Sequence, residues 1–178
     1  MNSPRPTAAE IEQAIRNVPD FPKPGIQFKD ITPVLADARL FAGAIELLTE
    51  KFQPGSVDAV VGIDARGFIF AAAAAMRLRA GFIPVRKKGK LPYQTIEQDY
   101  ALEYGQATVA IHTDALKPGS RILLVDDLLA TGGTSAAAAA LVQKLGGKIL
   151  EAAFLIELKF LNGRDKLTGI PIRSLVAY

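Results

Sequence analysis

The chain has no cysteine and one histidine among its 178 residues. That removes any disulfide framework, thiolate nucleophile or cysteine-based metal site. A Ser-His-Asp arrangement would have to use His112, which sits in an apolar, strand-like stretch and reads as an ordinary structural histidine. No apolar run is long enough to span a bilayer. The start of the chain lacks the charged-then-apolar pattern of a secretory signal, so the expected setting is the cytosol. Neither sign of charge dominates. The net charge is +3, too little to imply a nucleic-acid partner. The one basic block, Arg86-Lys87-Lys88, suits a small polyanion better than a duplex backbone. Two nucleotide motifs are also missing, G-x-x-x-x-G-K-[ST] and G-x-G-x-x-G, which disfavours a P-loop hydrolase and a dinucleotide oxidoreductase.

What remains is ordinary in bulk and specific in places. Hydrophobic residues make up 49% and charged residues 22%, so one soluble domain spanning residues 1–178 is expected. The most specific stretch is residues 122–135, ILLVDDLLATGGTS. Its first four residues read as a buried strand. Asp126 and Asp127 follow, then a Thr-Gly-Gly-Thr turn, then an alanine-rich helix over 135–145. In open α/β sheets, ligands bind where strand carboxyl ends meet helix starts. A helix N-terminus offers unpaired N–H groups and partial positive charge, which suit a phosphate. Gly132 and Gly133 let backbone approach it, and Thr131 and Thr134 add hydroxyl donors. The aspartates only accept, so they suit a polyol or a metal ion. Together these features describe a sugar-phosphate site. The glycine pair alone would also fit plain turn punctuation.

Elsewhere, Thr7 and Glu10 form a capping box opening a helix to about residue 17. Pro19, Pro22, Pro24 and Gly25 then impose a constrained segment. Helices are expected over 38–51 and 67–79. Strands are expected over 58–63, 81–86, 102–104, 107–111 and 148–157, with an edge strand over 172–178. Residues 87–100 read as a polar loop. Strand–helix alternation of this kind argues for a mainly parallel sheet. The alanine runs at 71–75 and 136–140 read as helices pressed closely on that sheet.

The run VDDLLATGGT resembles the PRPP (5-phosphoribosyl 1-diphosphate) signature of type I phosphoribosyltransferases. Its Leu128-Leu129-Ala130 form is similar to the adenine phosphoribosyltransferases in particular. FPKPGIQFKDITPVL (21–35) resembles their base-binding segment, and GIDARGFIF (62–70) their pyrophosphate loop. RKKGKLP (86–92) and LEYG (102–105) bracket what resembles their mobile catalytic loop. The resemblance implies an α/β fold with a central, mainly parallel sheet flanked by helices. It adds a small N-terminal hood (1–35) and a mobile loop (87–104).

Roles follow by resemblance. Ala130, Thr131, Gly132, Gly133 and Thr134 would cradle the 5′-phosphate. Asp64, Ala65 and Arg66 would face the pyrophosphate, with Arg86, Lys87, Lys90 and Tyr104 reaching it from the loop side. Asp126 and Asp127 would hold the ribose hydroxyls. Phe28 would stack on the base, the backbone of Gln27 and Lys29 would read its edge, and Leu158 would close its other face. Family members more often carry arginine at the Lys29 position, a change that leaves a backbone contact intact. Glu103 is the acid expected to protonate the purine. Plainer readings stand beside these: Phe28 in the core, Glu103 on a solvent-facing strand, Arg86, Lys87 and Lys90 as a solvated basic edge. The reaction implied is adenine plus PRPP giving AMP and pyrophosphate, with Mg²⁺ bound mainly through substrate oxygens rather than by protein ligands. A homodimer is the family precedent. The alternatives are transfer to hypoxanthine or xanthine, or a PRPP-sensing regulator without turnover.

Overall fold

Among the described residues of the computed structural model, seven strands form one sheet, in the order 95–101, 106–112, 81–87, 59–63, 121–129, 148–157, 172–177. The structure describes residues 4–101 and 105–178. They divide into two compact units, Met1–Leu47 and Leu48–Tyr178.

In the first unit, α1 (Ala8–Ala14) starts at the expected capping box. The Thr7 side chain accepts from the Glu10 N–H at 3.2 Å, and the Glu10 carboxylate accepts from the Thr7 N–H at 2.8 Å. The helix stops earlier than expected. Arg16–Pro19 instead forms β1, paired antiparallel with β2 (Gln27–Asp30). Two short helices follow, α2 (Thr32–Ala36) and α3 (Ala38–Leu48).

The second unit holds the sheet. Its central strands are β3 (Ala59–Ile63), β4 (Gly81–Lys87), β7 (Arg121–Leu129), β8 (Lys148–Glu157) and β9 (Ile172–Ala177). These run parallel, in the order β4-β3-β7-β8-β9. All five residues of β3 are buried, as expected of a parallel strand covered on both faces. Between them come α4 (Gly67–Leu78), after β3, and α5 (Gly133–Lys144), after β7. On α4 the buried residues are Gly67, Phe70, Ala71, Ala74, Ala75 and Leu78, a helical period that puts the small side chains against the sheet. Ala137, Ala138 and Ala139 of α5 are buried in the same core.

Two expectations change here. The stretch read as a loop contains a strand, β5 (Thr95–Ala101), paired antiparallel with β6 (Gln106–His112) over seven residue pairs. Its inner positions, Ile96, Gln98 and Tyr100, alternate with more exposed Glu97, Asp99 and Ala101. The period-2 pattern was present, but Gln98 on the inner side diluted it. The strand expected at 102–104 lies outside the described residues. The signature strand is also longer than expected. It runs to Leu129, so Asp126 and Asp127 belong to β7 itself rather than to the turn after it.

Candidate active site

Chain order reverses between β3 and β7. The connection from β3 leads through α4 to β4 on one side; that from β7 leads through α5 to β8 on the other. A crevice opens at the carboxyl ends of two strands that diverge in this way. Here it is a cleft of about 440 Å³ bordered by residues 63–66, 126–128 and 130–135. That volume suits a small-molecule ligand. The two turns singled out in the sequence therefore face one space.

Residues 130–134 form the turn into α5. Gly132 caps the helix at φ +75°, a conformation that favours glycine, and no side chain caps the end. The first N–H groups of a helix have no intrahelical acceptor, so this end is suited to an anion. The glycines do more than admit a ligand. A Cβ on Gly132 would overlap the Gly163 carbonyl. One on Gly133 would lie 3.2 Å from the Tyr100 ring and 3.3 Å from the Ala101 carbonyl. Gly133 thus makes room for the β5 strand, a reason the sequence did not reveal.

Residues 64–66 form the turn before α4, whose start also lacks a side-chain cap. The Asp64–Ala65 peptide is cis. Arg66 pairs with Asp127 at 2.7 Å. Arg86 donates from Nε to Asp64 at 2.9 Å and from a terminal nitrogen to the Lys90 carbonyl at 3.0 Å. The structure therefore brings Arg86 to the Asp64 turn. Lys87 and Lys90 are exposed.

Asp126 and Asp127 are both buried at the cleft floor. The Asp127 N–H donates to Asp126 Oδ1 at 2.9 Å. Burial, and then the charge of Asp127, push the Asp126 carboxyl well above the usual range. Burial also raises Asp127, against the opposing pull of the Arg66 guanidinium. A buried carboxylate pair of this kind gains from hydroxyl donors or a cation that share its charge.

In the first unit, Phe28 is half-buried rather than in the core, with its ring edge-to-face to Phe21 at 5.1 Å. Gln27 and Lys29 flank it on β2. Gln27 accepts at its side-chain oxygen from Asn17 at 2.7 Å. Leu158 follows β8, half-buried, and its N–H donates to the Leu129 carbonyl at 2.9 Å. Glu103 and Tyr104 lie outside the described residues. His112 ends β6 beside Tyr93, with ring centroids 6.1 Å apart, and does not line the cleft. Sequence reasoning missed Gly163 and the pairing of buried Glu157 with Arg164. The Asn162-Gly163 dipeptide after a strand was the available signal.

Residues 31–167 match the family model described as "Phosphoribosyl transferase domain". An adenine phosphoribosyltransferase of Acidothermus cellulolyticus is 56% identical, over 91% of this chain and 92% of that protein. The crystal structure of adenine phosphoribosyltransferase from Thermoanaerobacter pseudethanolicus superposes with a TM-score of 0.92 at 52% identity, over 97% of this chain and all of that one. The Saccharomyces cerevisiae adenine phosphoribosyltransferase, complexed with an imino-altritol bisphosphate and adenine, superposes at 0.89 with 40% identity, over 94% and 97%. With two anion-type turns meeting over an acid pair, and with relatives alike along nearly their whole length, this chain belongs to the adenine phosphoribosyltransferase family of type I phosphoribosyltransferases.

Proposed function

We propose that this chain catalyses transfer of the phosphoribosyl group of PRPP to adenine, giving AMP and pyrophosphate. The observation that carries the reading is the meeting of the 64–66 and 130–134 turns over Asp126 and Asp127 in one cleft. PRPP carries a 5′-phosphate and a 1-diphosphate on either side of a diol, and this cleft offers two helix starts suited to anions with acceptors between them.

In this reading the α5 turn, Ala130 to Thr134, holds the 5′-phosphate. Asp126 and Asp127 orient the ribose 2′- and 3′-hydroxyls. Asp64, Ala65 and Arg66 receive the pyrophosphate, Arg66 dividing its rigid donor fork between Asp127 and phosphate oxygens. Arg86, Lys87, Lys90 and Tyr104 add donors as the 87–104 segment closes. Closure matters because the anomeric carbon gains cationic character as pyrophosphate leaves, and water would capture it. The 1–35 hood supplies Phe28 for stacking and the backbone of Gln27 and Lys29 for the base edge. Glu103 delivers a proton to the purine as N9 becomes the nucleophile.

Mg²⁺ would be held mainly by the pyrophosphate and ribose oxygens, with Asp126 and Asp127 acting on it through the ribose hydroxyls they orient rather than as direct ligands. The bound ion would neutralise charge on the leaving pyrophosphate. Homodimer formation and a cytosolic setting belong to the same reading and rest on the family resemblance. Among the described residues no helix is long and apolar enough to cross a membrane.

The test is labelled adenine with PRPP and Mg²⁺. AMP and pyrophosphate should appear in equal amounts. PRPP binding without AMP formation would favour a PRPP-sensing regulator instead.

A further inference from the structure

The phosphate turn has a wall of backbone behind it. Two 3-10 turns follow Leu158, at Lys159–Leu161 and Gly163–Lys166. Gly163 in the second packs directly on the turn. A Cβ there would overlap the Ala130 carbonyl and stand 3.0 Å from both the Gly132 nitrogen and the Leu129 side chain. A Cβ on Gly132 would in turn overlap the Gly163 carbonyl. Each glycine occupies the room the other's side chain would need, so moving the second 3-10 turn moves the phosphate turn.

The next residue anchors that wall. Arg164 donates from Nε and from a terminal nitrogen to the two oxygens of Glu157, both at 2.6 Å. Glu157 ends β8 and is only 5% exposed. Ser174 of β9 donates to the same carboxylate at 2.5 Å and accepts from Arg164 at 3.0 Å. A bidentate guanidinium–carboxylate pair fixes direction as well as distance. The arrangement holds Glu157 below the usual carboxylate range, chiefly through the Arg164 hydrogen bonds. Nothing in PRPP chemistry requires a buried carboxylate held by a half-exposed arginine on this side of the sheet.

We propose that Arg164 is a positioning residue for PRPP: its grip on Glu157 keeps Gly163 pressed on Ala130 and Gly132, holding the phosphate turn in its binding shape. This rests on the phosphate assignment made above. Arg164 itself does not line the cleft. Its contribution is pre-organisation, since donors already fixed in place lose less freedom when the ligand arrives. Loosening the clamp should therefore weaken PRPP more than adenine. A general loss of stability would not sort the two substrates.

The experiment is steady-state kinetics on wild type, Arg164→Ala, Arg164→Lys and Gly163→Ala, with ribose 5-phosphate binding by calorimetry. Wild-type AMP formation is the control for the functional reading. If it is absent, that reading fails, and ribose 5-phosphate binding still tests the clamp. Arg164→Ala and Gly163→Ala should raise KM for PRPP and weaken ribose 5-phosphate about tenfold, leaving KM for adenine within about twofold. Arg164→Lys keeps a charge opposite Glu157 but loses the fork, so it should fall between wild type and Arg164→Ala. Removing the cation strands a buried carboxylate. If Arg164→Ala does not fold, Arg164→Lys and Gly163→Ala decide. Wild-type affinity for PRPP and ribose 5-phosphate in the folded variants would overturn the proposal, as would equal weakening of both substrates.

Discussion

Gly67, the first residue of α4, leaves no space for a side chain, because the Asp126 carboxylate occupies the position its Cβ would take. The start of the helix after the 64–66 turn thus rests on an acid from the neighbouring strand. Glycine here reflects packing against the cleft floor. The same closeness explains why Asp126 is so poorly hydrated, and why its carboxyl is pushed up in the ligand-free protein.

That burial sets a pH dependence. A carboxyl whose folded pKa lies above its unfolded value binds its proton more tightly in the native state. Its contribution is fully present below the unfolded pKa and is lost as pH rises through the folded one. Ligand-free protein should therefore lose stability as pH climbs above the ordinary carboxylate range. Asp126→Asn keeps an acceptor for the Asp127 N–H and removes the buried charge. It should flatten the pH profile and raise Tm at neutral pH by about 2–4 °C, roughly what 1 kcal/mol is worth at this size. Activity should fall about tenfold or more as ribose contacts weaken. Thermal melts across pH, beside rate measurements, check both halves. An unchanged or lower Tm at neutral pH would contradict the charge-burial account.

The glycine pair separates two kinds of damage. Gly132→Ala strains a φ of +75° and collides with Gly163, so it should act on the phosphate turn and raise KM for PRPP by about tenfold or more. Gly133→Val meets Tyr100 and Ala101 on β5 instead. Its main effect should be on kcat, because that strand leads towards Glu103. Paired kinetics of the two variants make the comparison, and identical patterns would show that they perturb one feature.

The central strands β3, β7 and β8 were readable because they are buried on both faces and announce themselves as apolar runs. Residues 148–157 gave β8 with its observed bounds. The two turns that line the cleft, 64–66 and 130–134, were readable because glycines and acids stand at strand ends. What escaped depends on partners far away in sequence. Gly133 is small because of Tyr100, Gly67 because of Asp126, and Gly163 because of Ala130. Arg86 looks like a basic edge until β4 sets it beside Asp64. Arg16 and Asn17 read as the end of a helix because they carry no local stop signal, and the pairing of β1 with β2 decides the matter.

Glu103 is a matter of proton delivery. Glu103→Gln keeps shape and hydrogen bonding and cannot give up a proton; Glu103→Leu loses both. A general acid of this type typically contributes about 10²–10⁴ in rate. Both variants should lose kcat on that scale in single-turnover experiments, with AMP and PRPP binding little changed. Full rescue by Gln would mean that Glu103 only positions the base.

The central claim is the choice of base. Adenine, hypoxanthine, guanine and xanthine should each be offered with PRPP and Mg²⁺, and nucleotide formation followed directly. A site whose backbone groups are matched to an amino-purine edge leaves them unpaired when a carbonyl arrives. The account predicts rapid AMP formation from adenine and little nucleotide from the three oxopurines. Hypoxanthine turned over at a comparable kcat/KM would contradict it.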